Sequence, residues 1–356
     1  MAELWQDVTP SRVVAFGPGR ANLIGEHTDY NDGLSLPFAI EQGVRVTAEA
    51  AGGDGLLVTA VEHQQHELFP LSGWTTERSG DWRDFVRGAI GELAAAGVAL
   101  PGGEVEIEGD VPEGGGLSSS AALEVALCLA LCSLAGAPEP ADRVALARLC
   151  SRIENEWVGA RTGLLDQLAS LLGVDGHALR IDFRTLETRP VPLRLGDWRL
   201  VTLDSGERHA LAASGYNERR AECERARQLL GVESLREVLP EDAVRLPCPL
   251  DRRVRHVHEE NARVDAAVSA LEAADLDALG RLLDASHASL RDLYDASTEA
   301  VERIVERLRA RGAAGARMMG GGFGGQVIAL LPPGTQVPDG ALEVVPAAGA
   351  RLLEVS

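Results

Sequence analysis

The apolar positions of this chain follow two rhythms. In the first half, short apolar runs are bounded by Gly, Pro and Asp. Arg12 to Phe16, Val44 to Ala50, Leu56 to Val61, His177 to Asp182 and Trp198 to Leu203 read as strands, and Glu104 to Glu108 (EVEIE) alternates as a half-exposed strand does. The first of these is predicted to run into a turn at Gly17-Pro18-Gly19. Asp81 to Ala96 has helical periodicity, with Trp82, Phe85, Val86, Ile90 and Leu93 on one stripe. Helices are also predicted over Ala121 to Ala137, Ala141 to Trp157 and Leu164 to Leu172. The second half is more charged. Tyr216 to Leu230, Arg253 to Leu271, Leu276 to Ala288 and Thr298 to Arg311 read as long amphipathic helices, and Val327 to Leu331 as an apolar strand. The Pro- and charge-rich stretch RTLETRPVPLRLGD lies between the halves and predicts a boundary at 183–197, giving domains at 1–190 and 191–356.

A length of 356 residues is enough for two ordinary domains with their own cores. With 45% hydrophobic and 25% charged residues, disorder, collagen-like repeats and a disulfide scaffold are excluded. Ala121 to Ala137 is shorter than the ~20 residues that cross a bilayer and carries Glu124, so it reads as a buried core helix. The net charge of −20 repels phosphate backbones and anionic lipid, which argues against nucleic-acid and membrane partners. All 34 basic residues are Arg. A chain without Lys cannot carry a Walker P-loop, a protein-kinase strand Lys or Schiff-base chemistry. The five Cys form no C-x-x-C pair, as in a protein of a reducing compartment. The opening MAELWQDVTP has neither a basic nor an apolar leader region, so a cytoplasmic protein is expected. No apolar surface stripe stands out, so a monomer is expected.

Three segments carry candidate chemistry. The first, GPGRANLIGEHTDYNDG at 17–33, places Arg20, Glu26, His27, Asp29 and Asp32 between two apolar runs. Such donors and acceptors suit a polyhydroxylated ligand; on residue types alone a polar surface loop fits equally. It is not a dinucleotide fingerprint, because Asn22 stands where the third Gly belongs. The second, PEGGGLSSSAALE at 112–124, sets Ser118, Ser119 and Ser120 after three Gly at a helix start. Backbone N–H groups there favour an anion, a phosphate cradle without a Lys. The alternative is a Ser cap after a flexible turn. The third is the carboxylate pair Glu154 and Asp166; phosphoryl transfer needs one carboxylate near Mg²⁺ and one near a hydroxyl. His63-x-x-His66 and His256-x-His258 lack a zinc ligand pattern.

These segments, in this order, resemble known sequences. GRANLIGEHTDYNDG at 19–33 resembles the galactokinase signature. GGGLSSSAALEVAL at 114–127 and MMGGGFGGQVIAL at 318–330 resemble the ATP-loop and C-terminal Gly motifs of the wider GHMP kinase superfamily. HALRIDFRTLET at 177–188 and SGYNERRAECERA at 214–226 are also similar to galactokinases. The resemblance implies a two-domain α+β fold. Its N-terminal part would be a ribosomal-S5-like α/β domain with a left-handed βαβ crossover, and its C-terminal part a ferredoxin-like α+β domain, with the active site in the cleft between them.

The resemblance also implies roles. ATP would be the co-substrate, with Mg²⁺, and galactose would be phosphorylated at its anomeric hydroxyl. Glu26, His27, Thr28, Asp29, Asp166 and Tyr216 would hold the sugar. Gly114, Gly115, Gly116, Leu117, Ser118, Ser119 and Ser120 would wrap the phosphates. Trp82 and Phe85 fall where adenine-pocket aromatics are placed, although a core stripe explains them equally. Ser120 and Glu154 would hold Mg²⁺. Asp166 would be the general base, with Arg20 its partner at the transferred phosphoryl group. Four positions depart from the family pattern: Leu164 and Leu165 stand where Ile and Met are usual, Met319 where Thr is usual, and Gln326 where a small residue is usual. Rival readings are a kinase of N-acetylgalactosamine, arabinose or galacturonate, a galactose sensor without turnover, and a nucleotide-binding domain without kinase activity. The intact Ser119-Ser120-Ala121-Ala122 run and Asp166 speak against the sensor.

Overall fold

The computed structural model describes residues 10–73, 77–112, 116–137, 142–160, 162–207 and 212–356. The strands are β1 (Arg12–Asn22), β2 (Leu34–Ser35), β3 (Pro37–Ala50), β4 (Gly55–Ala60), β5 (Gln65–Pro70), β6 (Gly103–Gly109), β7 (His177–Asp182), β8 (Glu187–Pro192), β9 (Arg199–Asp204), β10 (Gly315–Met318), β11 (Gln326–Leu331), β12 (Leu342–Glu343) and β13 (Arg351–Val355). The helices are α1 (Trp82–Ala95), α2 (Ser119–Leu134), α3 (Arg143–Arg152), α4 (Leu165–Leu172), α5 (Ala212–Leu230), α6 (Pro240–Ala243), α7 (Leu250–Glu272), α8 (Leu276–Asp292) and α9 (Glu299–Ala310). This is the expected two-part α+β architecture. No helix among the described residues is long and apolar enough to cross a membrane.

A six-stranded sheet of order β13-β1-β3-β6-β4-β5 carries the N-terminal part. Its neighbours are antiparallel except β4 and β6, which run parallel and so need the α1 crossover between them. β6 buries every second residue and keeps Glu104, Glu106 and Glu108 in solvent, as its alternation predicted. Helix α2 is the axis of this part. It is apolar on all sides, and every residue from Ala121 to Cys132 is buried. It packs on β1 and β3, flanked by α1, α3 and α4.

Gly17-Pro18-Gly19 does not turn. β1 continues through it to Asn22, with a register shift between Pro18 and Arg20. Pro18 offers no N–H, so it is tolerated where the ladder is already irregular. The two Gly serve packing. A Cβ on Gly17 would lie 2.2 Å from the Ala122 carbonyl oxygen of α2, and one on Gly19 2.7 Å from that of Leu117. The predicted helix ending at Trp157 also changes character. After Arg152 it widens into a π-helical turn, Ile153–Val158, closed by Gly159 N–H to Glu154 O at 2.9 Å.

A second sheet, β10-β11-β9-β12, is antiparallel throughout. Its order matches a ferredoxin-like β-α-β-β-α-β unit with two changes: five helices fill the first crossover, and no helix separates β11 from β12. A third sheet, β2-β7-β8, packs against α7 through β2 and β8. The Pro-rich stretch read as a boundary contains β8, an edge strand, where Pro190 and Pro192 disrupt least. The chain crosses to the second sheet at 193–198, and β13 returns to pair with β1. One apolar cluster is shared by both parts: Leu23, Ile24, Phe38 and Ile40 pack with Val264, Val268, Ile328 and Leu330.

The β1–α2 contact leaves no room for a methyl group on Gly17. Gly17→Ala should therefore destabilise the fold by roughly 2 kcal/mol or more, because backbone rather than a mobile side chain must move. Thermal unfolding checks this; a melting temperature within a degree of the parent would show that the strand and helix can separate at little cost.

Candidate active site

The first motif closes a cleft of about 160 Å³ lined by Arg20, Glu26, His27, Asp29, Asp166 and Tyr216. Thr162, Gly163, Leu165, Gly320 and Gly321 complete it. Arg20 lies near the end of β1 and forks onto Asp166 near the start of α4: Nε to Oδ1 at 2.7 Å and Nη2 to Oδ2 at 2.8 Å. Its Nη1 donates to the Gly116 carbonyl at 2.6 Å, and its backbone N–H to that of Leu117 at 2.9 Å. Ser118 does not cap α2 through its side chain. It sits at φ 61°, and its hydroxyl donates to Asp166 Oδ2 at 2.7 Å. Among the described residues Asp166 thus accepts three bonds, two at Oδ2 and one at Oδ1, which leaves an Oδ1 lone pair unused.

A second cleft, about 640 Å³, opens on the other side of the α2 N-terminus. Ser119 and Ser120 line it together with the apolar Trp82, Phe85, Val44, Ile107 and Val111 and the polar Glu62, His63, Asp81 and Asp110. Trp82 lines this cleft and also packs in the core, and its Nε1 donates to Gln65 at 3.2 Å. Phe85 lines the cleft and packs on the core edge. Consecutive residues therefore face different clefts: Ser118 reaches Asp166, while Ser119 and Ser120 line the larger one. Gly116 and Leu117 adjoin them; Gly114 and Gly115 lie outside the described residues.

Glu154 sits on the π turn and is buried. Ser120 Oγ donates to its Oε1 at 3.0 Å. Thr162 Oγ1 and Gln167 Nε2 donate to Oε2 at 2.7 and 2.8 Å. Burial raises the Glu154 pKa and the Asp166 charge adds to the rise, while these three bonds oppose it. The donor set is all oxygen, one hydroxyl and one carboxylate, with the second carboxylate oxygen already fixed. That fits Mg²⁺, which takes one or two carboxylates and leaves its remaining positions to water and phosphate. Gln167 also donates to Glu124 at 3.1 Å, a carboxyl buried inside α2 whose pKa burial pushes well up.

The remaining residues of the first motif differ in what they can offer. Thr28 is fully buried, and its hydroxyl donates to Leu34 O at 2.7 Å and Gly25 O at 3.1 Å, so it ties the loop to itself. Both ring nitrogens of His27 are engaged, Nδ1 with the Tyr30 hydroxyl at 2.7 Å and Nε2 with Gly321 O at 3.2 Å. A carbonyl only accepts, so Nε2 carries the proton and Nδ1 accepts from Tyr30. Burial holds the His27 pKa at about 3, so the ring is neutral. Asp29 is half-buried opposite Gly163, where a Cβ would lie 1.8 Å from its Oδ2. Loss of water, with Asp166 and Glu26 nearby, pushes its pKa up to about 7. Tyr216 brings α5 into the cleft, its ring 5.3 Å from that of His27.

Several residues were not anticipated from sequence. Arg317, fully buried on β10, donates through Nη2 to Glu26 Oε1 at 2.7 Å. Glu260 of α7 accepts from Gly25 N–H at 3.0 Å, and His256 Nε2 meets Glu26 O at 3.1 Å. A charged residue inside an apolar strand or stripe is the only trace they leave in the sequence. Two of the departures from the family pattern, Met319 and Gln326, are also placed. Met319 Sδ accepts from the Asn22 N–H at 3.2 Å, and the Gln326 side chain borders Gly116.

Comparison with known proteins decides the family. Residues 3–50 match the family model described as the galactokinase galactose-binding signature, 84–174 that of the GHMP kinases N-terminal domain, and 267–350 that of the GHMP kinases C-terminal domain. A galactokinase of Thermotoga neapolitana is 42% identical over 318 residues, 89% of each chain. The chain belongs to the galactokinase family. A galactokinase of Mycobacterium tuberculosis is 44% identical over 326 residues, 90% of this chain and 89% of that one. The crystal structure of Lactococcus lactis galactokinase complexed with galactose superposes with a TM-score of 0.89 at 31% identity, covering 96% of this chain and 95% of that one. Methanococcus jannaschii mevalonate kinase, at 17% identity and a TM-score of 0.70, shares the fold. Galactokinase-family membership thus agrees with a small polar cleft beside a larger apolar one.

The raised pKa of Asp29 has a consequence for stability. The folded chain holds this proton up to about pH 7, whereas the unfolded chain releases it near the ordinary value of 3.8. The native state therefore binds more protons between these values, and this group's contribution to stability falls as pH rises from about 4 to about 7. Asp29→Asn should melt a few degrees higher than the parent at pH 8 and level with it near pH 4. A pH series of thermal melts checks this; an equal difference at every pH would contradict the burial argument.

Proposed function

We propose that this chain transfers the γ-phosphoryl group of ATP to the anomeric hydroxyl of α-D-galactose, giving α-D-galactose 1-phosphate and ADP, as a cytoplasmic monomer. The observation that carries the mechanism is the Arg20–Asp166–Ser118 constellation. It stands where the α2 N-terminus meets both clefts. Galactose takes the smaller cleft and ATP the larger. The sugar loop, residues 22–33, and Tyr216 come from the two parts, 1–190 and 191–356, which we keep as domains with β13 rejoining the first.

Asp166 accepts the proton of the anomeric hydroxyl on its free Oδ1 lone pair, and the resulting oxygen attacks the γ-phosphorus. Arg20, cationic at any working pH, orients that carboxylate and faces the charge on the transferred group. The N–H groups opening α2 face the phosphates of ATP, where the helix dipole favours an anion. Ser120 and Glu154 would hold Mg²⁺, which when bound neutralises phosphate charge. Trp82 and Phe85 offer an apolar seat for the base. Glu26, Asp29 and Tyr216 hold sugar hydroxyls. His27 and Thr28 shape the loop, since their polar atoms are already engaged. Most of the rate gain is positioning and charge stabilisation, because the transition state is loose.

Turnover of ATP with Mg²⁺ against galactose, glucose, N-acetylgalactosamine, arabinose, galacturonate, homoserine and mevalonate tests the substrate. Galactose should lead; another sugar in front would overturn the sugar assignment while keeping the phosphate site. Asp166→Ala should lower kcat by about 100-fold or more with ATP still bound, and near-normal turnover would remove Asp166 as the base. Glu154→Gln should raise the Mg²⁺ concentration for half-maximal rate by about tenfold or more. An unchanged Mg²⁺ requirement would place the ion elsewhere.

A further inference from the structure

Arg317 is the largest wholly buried side chain among the described residues, and no step of the reaction uses it. Nε donates to Leu23 O at 2.8 Å, and Nη2 to Asn22 O at 2.8 Å and Glu26 Oε1 at 2.7 Å. Nη1 finds no partner among the described residues. A buried ion pair with a donor left over is a poor way to stabilise a core. An apolar pair of the same volume commonly does as well or better. The contact is therefore better explained by what it does to Glu26.

Glu26 Oε1 also accepts the Gly320 N–H at 2.8 Å. Two donors saturate the lone pairs of that oxygen. The acceptor that Glu26 can offer the cleft it lines is then Oε2. The backbone around it is fixed by the same part of the molecule: Glu260 takes the Gly25 N–H, and His256 meets Glu26 O. We propose that Arg317 is a positioning residue for sugar recognition, occupying one Glu26 oxygen so that the other is presented to a sugar hydroxyl in one orientation. Its reach across the shared core makes the sugar loop of the N-terminal part depend on β10 of the C-terminal part. The proposal rests on the galactokinase reading above.

The test compares Arg317→Met, Arg317→Lys and Glu26→Gln with the parent, by steady-state kinetics in galactose and in ATP and by melts with each ligand added separately. Arg317→Met should raise the galactose KM by about tenfold or more, hold the ATP KM within about twofold, and leave kcat at saturating sugar within about threefold. The upward melt shift with galactose should shrink while the shift with an ATP analogue persists. Arg317→Lys keeps the charge but not the planar fork, so it should fall between Met and parent. It also serves if the Met variant does not fold. Arg317→Met combined with Glu26→Gln should cost less than the sum of the two changes. Parallel loss of galactose and ATP affinity, or additivity with Glu26→Gln, would overturn this inference while leaving the activity intact. A parent chain that neither binds nor phosphorylates galactose would overturn the activity reading and this inference together.

Discussion

The close approach of β1 and α2 is the constraint from which the site follows. A strand and an apolar helix can pack this tightly only where one of them lacks side chains. Gly17 supplies that gap against Ala122, and Gly19 against Leu117. Arg20 lies three positions after Gly17 on the same strand, so the packing that buries α2 also carries Arg20 to the helix N-terminus. There its guanidinium links the Gly116 carbonyl to Asp166. The Arg20–Asp166 pair is thus positioned by a buried strand–helix contact and not by a surface loop.

The two parts are joined more firmly than a hinge between independent domains. They share an apolar cluster, and polar links cross it. Asn261 accepts from Leu34 N–H at 2.8 Å, and Arg236 forks onto Asp182 at 2.6 and 2.9 Å. Such contacts make the sugar loop a product of both parts, although all its residues are close together in sequence. The larger cleft is different: all its described lining belongs to the N-terminal part.

Much of this was legible because it rests on local pattern. Buried strands, amphipathic helices and the apolar α2 leave periodicities that survive any tertiary context. The motif residues could be assigned because their types and spacing match a family. What was missed rests on long-range pairing. β13 is a mostly exposed run, Arg351–Val355, that becomes a strand because β1 offers it an edge. β8 carries two prolines and reads as linker, yet an edge position tolerates them. Gly17-Pro18-Gly19 carries turn chemistry, but the need to admit α2 overrides it. Arg317, Glu260 and His256 were invisible as site residues because nothing in a strand or helix pattern says which loop it will meet.

The site is also built against stability. His27 is held at φ 60°, a region that costs a residue with a Cβ energy, and both of its ring nitrogens are spent holding it there. Asp29 resists ionisation near neutral pH. Glu124 is a carboxyl inside an otherwise apolar helix; its partner Gln167 uses one amide donor on it and the other on Glu154. Each of these would be repaired by an apolar or small residue if stability alone were selected. His27 and Asp29 line the smaller cleft, and the buried Glu124 is tied to Glu154 through Gln167; such polar groups are held out of water and set before a ligand arrives, with the cost offset by the core behind them.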